Sequence, residues 1–205
     1  MKNPWLNISH SDYENHMIEV GQAQVLNGLT KYCLEKYLPE NFALLGCSTG
    51  NGLEHIKTEI TKRVYAIDIN PEYLKITNEN FESKINNLEI YNIDIQNDEL
   101  AIKNIDLFFV GLVLEYVEPE KALNKIIKTL RKKGILSIVI QTNKNTSFVS
   151  KTKYNSLEKL SYISNEVNEK EIDRFIQSKN LELIKREKIE LTKNKSFIYL
   201  EYKMK

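Results

Sequence analysis

The feature that most constrains this chain is an alternation. Short apolar runs of strand length, Phe42–Leu45, Val64–Ile69, Leu88–Ile93, Asp106–Leu112 and Ile135–Gln141, are separated by stretches with apolar residues at helical spacing. The run Asp106–Leu112 (DLFFVGL) is nearly all apolar, as expected for a strand covered on both faces. Strands alternating with helices imply crossover connections, and these build a mainly parallel sheet with helices on both sides. The expected fold is a three-layer α/β sandwich. Ligands of such sheets bind beyond the C-terminal strand ends.

The segments between the strands carry their own start and stop signals. Ser11 with Glu14 has capping-box spacing, and Asp12 is an alternative N-cap. The stripe Met17, Val20, Val25, Leu26, Leu29, Cys33, Leu34 then predicts one helix, stopped by Pro39. Leu53–Ile60 reads as a helix after the first strand. Asn70-Pro71 gives an N-cap followed by proline at the first helical position, ahead of Tyr73, Leu74, Ile76 and Phe81. A helix from Pro119 carries Ala122, Leu123, Ile126, Ile127 and Leu130. Arg131, Lys132 and Lys133 suit its C-terminus, and Gly134 its cap. Residues 142–164 are polar and irregular. Asn168 with Glu171 predicts a last helix through Gln177, with Asn180 as a left-handed cap. Leu181–Leu191 and Ser196–Tyr202 alternate apolar and polar residues and predict an antiparallel pair at one side of the sheet. No linker or repeat divides the chain, so a single domain over 1–205 is expected, with an N-terminal helical cap over 1–40.

Composition excludes several classes. Lys and Arg total 29 against 28 Asp and Glu, a net charge of +1, which leaves no electrostatic footprint for nucleic acid or an anionic membrane. No apolar run approaches the roughly 20 residues of a membrane span. The start, MKNPWLNISH, lacks the apolar core of a signal peptide. Two cysteines, Cys33 and Cys47, make neither a disulfide framework nor a metal site, and three scattered histidines have no ligand spacing. The expectation is a reduced, cytoplasmic protein without a metal.

Only 7 glycines occur in the chain, yet Gly46, Gly50 and Gly52 fall within GCSTGNG, directly after the first apolar run. Glycine serves where backbone turns sharply or approaches a ligand. The loop is either a cofactor cradle or a plain tight turn. Its spacing does not match G-x-G-x-x-G, because Ser48 takes the second glycine position of one frame and His55 the third of the other. No Gly-Lys-Ser/Thr follows, which excludes a P-loop. Asp68 ends the second run, where an acid can accept both hydroxyls of a ribose or cap the following helix. Asp94 follows the third run. It could accept from an adenine amino group with Ile95 flanking the ring, or cap a turn.

Taken in order, G-x-x-x-G-x-G after strand one, Asp after strand two, Asp after strand three, DLFFVGLVLEYV at strand four and LRKKGILSIVI into strand five resemble class I S-adenosylmethionine-dependent methyltransferases of the small-molecule, broad bacterial type. The resemblance covers residues 15–141. It implies a Rossmann-like seven-stranded sheet whose last strand is antiparallel, with S-adenosylmethionine as cofactor. By position it places Gly46, Cys47, Ser48 and Gly50 at the methionine part, Asp68 at the ribose, Ile69 and Ile95 on adenine and Asp94 at its amino group. Gly111 and Leu112 would line the sulfonium side. Two positions depart from the family pattern. Leu44 stands where an acid is frequent, and Ser48 replaces the middle glycine, which the loop accommodates if its φ is negative.

Methyl transfer is an in-line displacement from an activated leaving group, so alignment dominates. A base is needed only where the acceptor must lose a proton. Substrate-side candidates are His10, Tyr13 and His16 at the start of the first helix, Glu115 and Tyr116 after strand four, and Tyr154 in the 142–164 segment. Each has a structural alternative: His10 as a surface residue, His16 as a cap or packing group, Glu115 as a solvated helix-start charge, Tyr116 as core. His55 reads as structural. The expected activity is methylation of a small-molecule acceptor. The alternatives are a non-catalytic cofactor-binding or regulatory protein on the same fold, and an RNA methyltransferase, which the near-neutral charge opposes.

Overall fold

Seven strands form one sheet in the order β3-β2-β1-β4-β5-β7-β6. They are β1 (Asn41–Leu45), β2 (Arg63–Asp68), β3 (Leu88–Asn92), β4 (Ile105–Gly111), β5 (Leu130–Asn143), β6 (Leu181–Thr192) and β7 (Lys195–Met204). The structure, a computed structural model, describes residues 3–205. β1 to β5 run parallel, and β7 pairs antiparallel with both β5 and β6. Five helices complete the layers: α1 (His10–Glu19), α2 (Gln22–Tyr37), α3 (Pro71–Phe81), α4 (Pro119–Ile127) and α5 (Glu169–Ser178).

The two-residue period of a strand divides the core. Ala43, Leu45, Ile67, Phe108 and Val110 face α4 and α5, whose Leu123, Ile126, Ile172 and Ile176 pack on them. Phe42, Leu44, Val64, Ala66, Leu107 and Phe109 face α2 and α3 through Leu29, Cys33, Leu74 and Phe81. Every residue of β4 before Gly111 is buried, which is the double coverage its apolar run predicts. β7 is buried along most of its length, whereas β6 alternates and forms the exposed edge.

Helix caps follow the sequence at three places. Asn70 Oδ1 accepts from Glu72 N and Tyr73 N at the start of α3, Asn168 Oδ1 accepts from Lys170 N at the start of α5, and Asn180 has φ +69°. Four expectations need correction. The N-terminal stripe is two helices, because Gly21 adopts φ +74° between α1 and α2. The N-cap is Ser9, whose Oγ accepts from Asp12 N, and not Ser11 or Asp12. The helix expected over Leu53–Ile60 is a single 3-10 turn, Leu53–His55. α4 stops at Ile127, and Leu130 already pairs with Ile105, so Arg131–Gly134 belong to β5 and cap nothing. Segment 142–164 contains a 3-10 run, Asn155–Tyr162, that buries Leu157 and Leu160.

The sheet and α2 are joined by a buried charge. Glu201 of β7 is fully buried, and its carboxylate accepts from Lys36 Nζ (2.7 Å), Tyr199 Oη (2.6 Å) and Tyr37 Oη. Burial alone would raise its pKa, but these three donors hold it below the usual carboxylate range. Removing one member of such a cluster strands the others. Glu201→Ala should lower the unfolding free energy by about 3 kcal/mol, read as a shifted urea midpoint at unchanged slope.

Candidate functional site

The C-terminal ends of β1, β2 and β4 meet at the glycine loop. Gly46 N and Cys47 N donate to Ile67 O (2.9 and 3.2 Å), which turns the chain sharply off β1. Gly46 has φ +71°, and a Cβ there would lie 2.5 Å from Val113 Cγ2. The position requires glycine because backbone and the strand-four loop approach so closely. Ser48 does not meet the condition of a negative φ: it sits at +51°. Its N–H donates to Asp68 Oδ2 (2.9 Å) and its carbonyl accepts from Thr77 Oγ1 (2.7 Å), so hydrogen bonds on both sides hold the left-handed conformation. Ser48 Oγ is buried and has no hydrogen-bond partner among the described residues.

Asp68 is buried at the end of β2, and its other oxygen accepts from Asn70 N (2.9 Å). Burial pushes its pKa up to about 6, against the pull of the backbone N–H groups of Asn70, Ser48 and Ile69. Each carboxylate oxygen retains a lone pair for a ligand. Asp94 caps its own turn, accepting from Gln96 N (2.9 Å) and Asn97 Nδ2 (2.8 Å), and also faces the cavity.

A first cavity opens at these strand ends. It is lined by Gly46, Ser48, Asp68, Ile69, Asp94, Ile95, Gly111, Leu112, Tyr13 and Tyr116, together with Trp5 and Tyr73. The structure thus brings together eight of the ten residues expected at a cofactor. The other two, Cys47 and Gly50, line a third cavity on the α2–α3 side of the loop.

A second, smaller cavity of about 40 Å³ adjoins the first. Both are walled by Trp5, Tyr13, Leu112 and Tyr116. The aromatic rings pack edge to face, Trp5 on Tyr13 (5.7 Å between centroids) and on Tyr116 (5.0 Å), and Tyr116 on Phe148 (5.9 Å). The far side of this cavity holds His16, Gln22, Gln141, Phe148 and Leu157. His16 Nδ1 lies 2.9 Å from Thr152 Oγ1. Its pKa is lowered by burial and by the nearby Lys195, so the imidazole is neutral at pH 7. Lys195 is itself buried, donates to Phe148 O (2.5 Å), and is pushed down to about 8 by burial.

Three substrate-side candidates lie elsewhere. His10 is exposed, 3.4 Å from Glu72. Tyr154 packs with Ile8, Leu157 and Leu160 and lines neither cavity. Glu115 is neither solvated nor in a cavity wall. It is fully buried under the second cavity, Oε1 accepting from Gln141 N (2.7 Å), with Oε2 unpartnered among the described residues. The 3-10 turn Leu114–Tyr116 swings it inward, which its position after a strand does not reveal. His55, read as structural, lies 2.8 Å from Asn27 Oδ1. Sequence reasoning missed Trp5, Gln22, Gln141 and Phe148. Gln22 and Gln141 are hydrogen-bonded at 2.6 Å across 119 residues, a contact no local pattern encodes. The one signal was that Trp5 is the chain's single tryptophan.

Residues 44–138 match a family model described as a methyltransferase domain. Over these residues the chain carries a methyltransferase domain, of the enzyme class that uses S-adenosylmethionine. No curated protein matches it in sequence. Among solved structures it is similar to the N-methyltransferase NodS from Bradyrhizobium japonicum WM9 in complex with S-adenosylhomocysteine. That match has 15% identity and TM-score 0.66, covering 89% of this chain and 87% of that one. Magnesium protoporphyrin IX methyltransferase from Synechocystis PCC 6803 with bound S-adenosylhomocysteine matches at 14% identity and TM-score 0.67, covering 91% and 84%. The [4+2]-cyclase SpnF matches at 10% identity and TM-score 0.67, covering 87% and 80%. At these identities the likeness is one of fold. Among the described residues of this methyltransferase no helix is long and apolar enough to cross a membrane.

Glu115 makes stability pH-dependent. Burial raises its pKa to about 7, against the N–H donors of Gln141 and its own backbone. A carboxyl raised on folding stabilises the fold while protonated, and that contribution is lost as pH rises from the unfolded pKa through 7. Glu115→Gln mimics the protonated form. It should match wild type at pH 4 and exceed it at pH 8 by about 3 kcal/mol, measured by urea unfolding at both pH values.

Proposed function

We propose that this methyltransferase transfers a methyl group from S-adenosylmethionine in the first cavity to a small, partly apolar molecule in the second. The observation that carries this reading is the shared wall of Trp5, Tyr13, Leu112 and Tyr116 between the two cavities. The residues present fit the cofactor. Two carboxylates face the first cavity, Ile69 and Ile95 offer apolar surface for a base, and Ser48 Oγ is a buried hydroxyl without a partner among the described residues.

In this reading Asp68 accepts from the ribose hydroxyls, Asp94 from the adenine amino group, and Ile69 and Ile95 pack on the ring. Gly46, Ser48, Gly111 and Leu112 border the sulfonium side, with Cys47 and Gly50 behind the loop. Bound there, the cofactor supplies an electrophilic methyl group on a good leaving group. The protein's own work is to align and to exclude water. The aromatic wall and Leu112 exclude water at the junction. Tyr116, Phe148 and Leu157 clasp the acceptor's apolar part, and Gln141 orients it through the remaining lone pair of Oε1, since both Nε2 hydrogens are donated to Asn143 Oδ1 and Phe148 O and Oε1 already accepts from Gln22. Neutral His16, anchored by Thr152, takes a proton where the accepting atom carries one. The N-terminal segment 1–40 acts as the cap, 142–164 supplies the acceptor side, and together with the sheet they work as a single domain. The small second cavity and the net charge of +1 favour a small molecule over RNA.

Calorimetry with S-adenosylhomocysteine tests the donor half. Wild type should bind, and Asp68→Ala should weaken binding at least tenfold. Absence of wild-type binding, or unchanged affinity in the variant, overturns the assignment. Because the ionised carboxylate is the acceptor and Asp68 titrates at about 6, wild-type affinity should fall about tenfold between pH 7 and pH 5, and this dependence should vanish in Asp68→Ala.

A further inference from the structure

The second cavity has a polar wall whose hydrogen-bonding direction is fixed. Gln22 and Gln141 line it, only 6% and 2% exposed, and Gln22 Nε2 donates to Gln141 Oε1 (2.6 Å). Groups outside the pair decide which end of each amide faces which way. Phe148 O is a carbonyl and can only accept. It takes Gln141 Nε2 (2.8 Å) and Lys195 Nζ (2.5 Å). The nitrogen of Gln141 therefore points to Phe148, donating also to Asn143 Oδ1 (2.9 Å), and its oxygen points to Gln22. Gln22 in turn has to offer its nitrogen, which leaves its own Oε1 over. Among the described residues nothing donates to that oxygen, and one Nε2 hydrogen is uncommitted as well. A buried side chain in the cavity wall thus ends in one free acceptor and one free donor.

The surroundings select against charge. Among the described residues no Asp, Glu, Lys or Arg lines this cavity, and His16 is neutral at pH 7. An ammonium or a carboxylate entering it would lose hydration without gaining a counter-ion. A carboxylate would also set its oxygens against Gln22 Oε1, and an amidinium would set its hydrogens against the free hydrogen of Gln22 Nε2. A neutral carboxamide meets neither conflict. Its oxygen and nitrogen lie about 2.2 Å apart, the same separation as in Gln22, so two hydrogen bonds can run side by side. A hydroxyl has to make both from one atom.

We propose that Gln22 is a specificity residue of the second cavity, and that the methyl acceptor carries a neutral carboxamide-type edge, an N–H beside a C=O, which pairs with Gln22 Oε1 and Nε2. The proposal rests on the reading of this cavity as the acceptor site. Gln141 acts on this edge by holding Gln22 in the one orientation that leaves it open.

Small isosteres of different charge test it: propionamide, propionate and the propionamidinium cation, with 1-propanol as the hydroxyl case. Each is titrated into the full chain with and without S-adenosylhomocysteine, and the side-chain amide resonances of Gln22 and Gln141 are followed by NMR. Propionamide should shift both in a saturable way and bind roughly 10- to 100-fold more tightly than either charged isostere. It should also bind at least about threefold more tightly than the alcohol. Gln22→Leu should reduce these preferences to within about twofold, read on Gln141, while S-adenosylhomocysteine affinity stays within about twofold and reports an intact fold. Gln22→Glu presents an acceptor-only edge and should turn the preference toward propionamidinium. Failure of propionamide to saturate, equal binding of amide and acid, or wild-type affinity for propionamide in Gln22→Leu overturns the Gln22 assignment and leaves the two-cavity reading standing. Competition between propionamide and S-adenosylhomocysteine would mean a single shared site, and then the two-cavity reading falls and this proposal with it.

Discussion

The carboxylate of Asp68 ties the site together. One oxygen holds Ser48 N and the other holds Asn70 N, so a single buried side chain fixes the loop after β1 and the turn after β2. Asn70 then caps α3 and donates from Nδ2 to Trp5 O (2.9 Å), which carries the restraint to the N-terminal segment. The cost is a buried charge with its pKa raised to about 6, which the fold tolerates because backbone donors surround it. Ligand atoms that hydrogen-bond this carboxylate would therefore meet an acceptor already fixed in place, with little left to order on binding.

Around that anchor the site is layered by chemistry. Carboxylates and backbone lie at the strand ends, an aromatic partition follows, and beyond it is a pocket whose polar groups are amides and a neutral imidazole. Displacement at a sulfonium needs no strong acid or base at the reacting carbon, and the groups nearest the partition, Leu112 and the rings of Trp5, Tyr13 and Tyr116, are correspondingly non-ionic at neutral pH. The raised pKa values of Tyr13 and Tyr116, both caused first by burial, keep those phenols protonated. Of the buried groups that titrate within about a unit of neutrality, Asp68 lines the first cavity, whereas Glu115 and Lys195 line neither cavity.

Local patterns carried most of the sheet. Each apolar run became a strand because period-two burial and flanking turn residues act over a few positions, and Asn70, Asn168 and Asn180 capped where their side chains suggested. The errors share a cause. Leu53–Ile60 has helical spacing, yet Leu53 packs against the α2–α3 face and the turn ends after His55. Leu130–Gly134 resembled a helix end, but strand pairing with Ile105 claimed it. Ser48 is left-handed because Asp68 and Thr77, distant in sequence, grip its backbone. The residues that line the first cavity follow the strands in order, so position alone was enough to group them. Around the second cavity Trp5, His16, Gln141 and Phe148 converge from segments far apart, and only the folded chain assembles them.

The position of β7 has a consequence for how the molecule comes into being. This strand is last in the chain yet interior in the sheet, with nine residue pairs to β5 and a full ladder to β6. Until Lys195–Met204 has left the ribosome, β5 offers an unsatisfied, apolar edge and β6 has nothing to join. Synthesis therefore passes through a stage in which the parallel half can form while its open border is exposed to other chains. The exposed charges along β6, among them Arg186, Glu187, Lys188 and Glu190, guard the finished sheet, but they protect nothing before the final strand arrives.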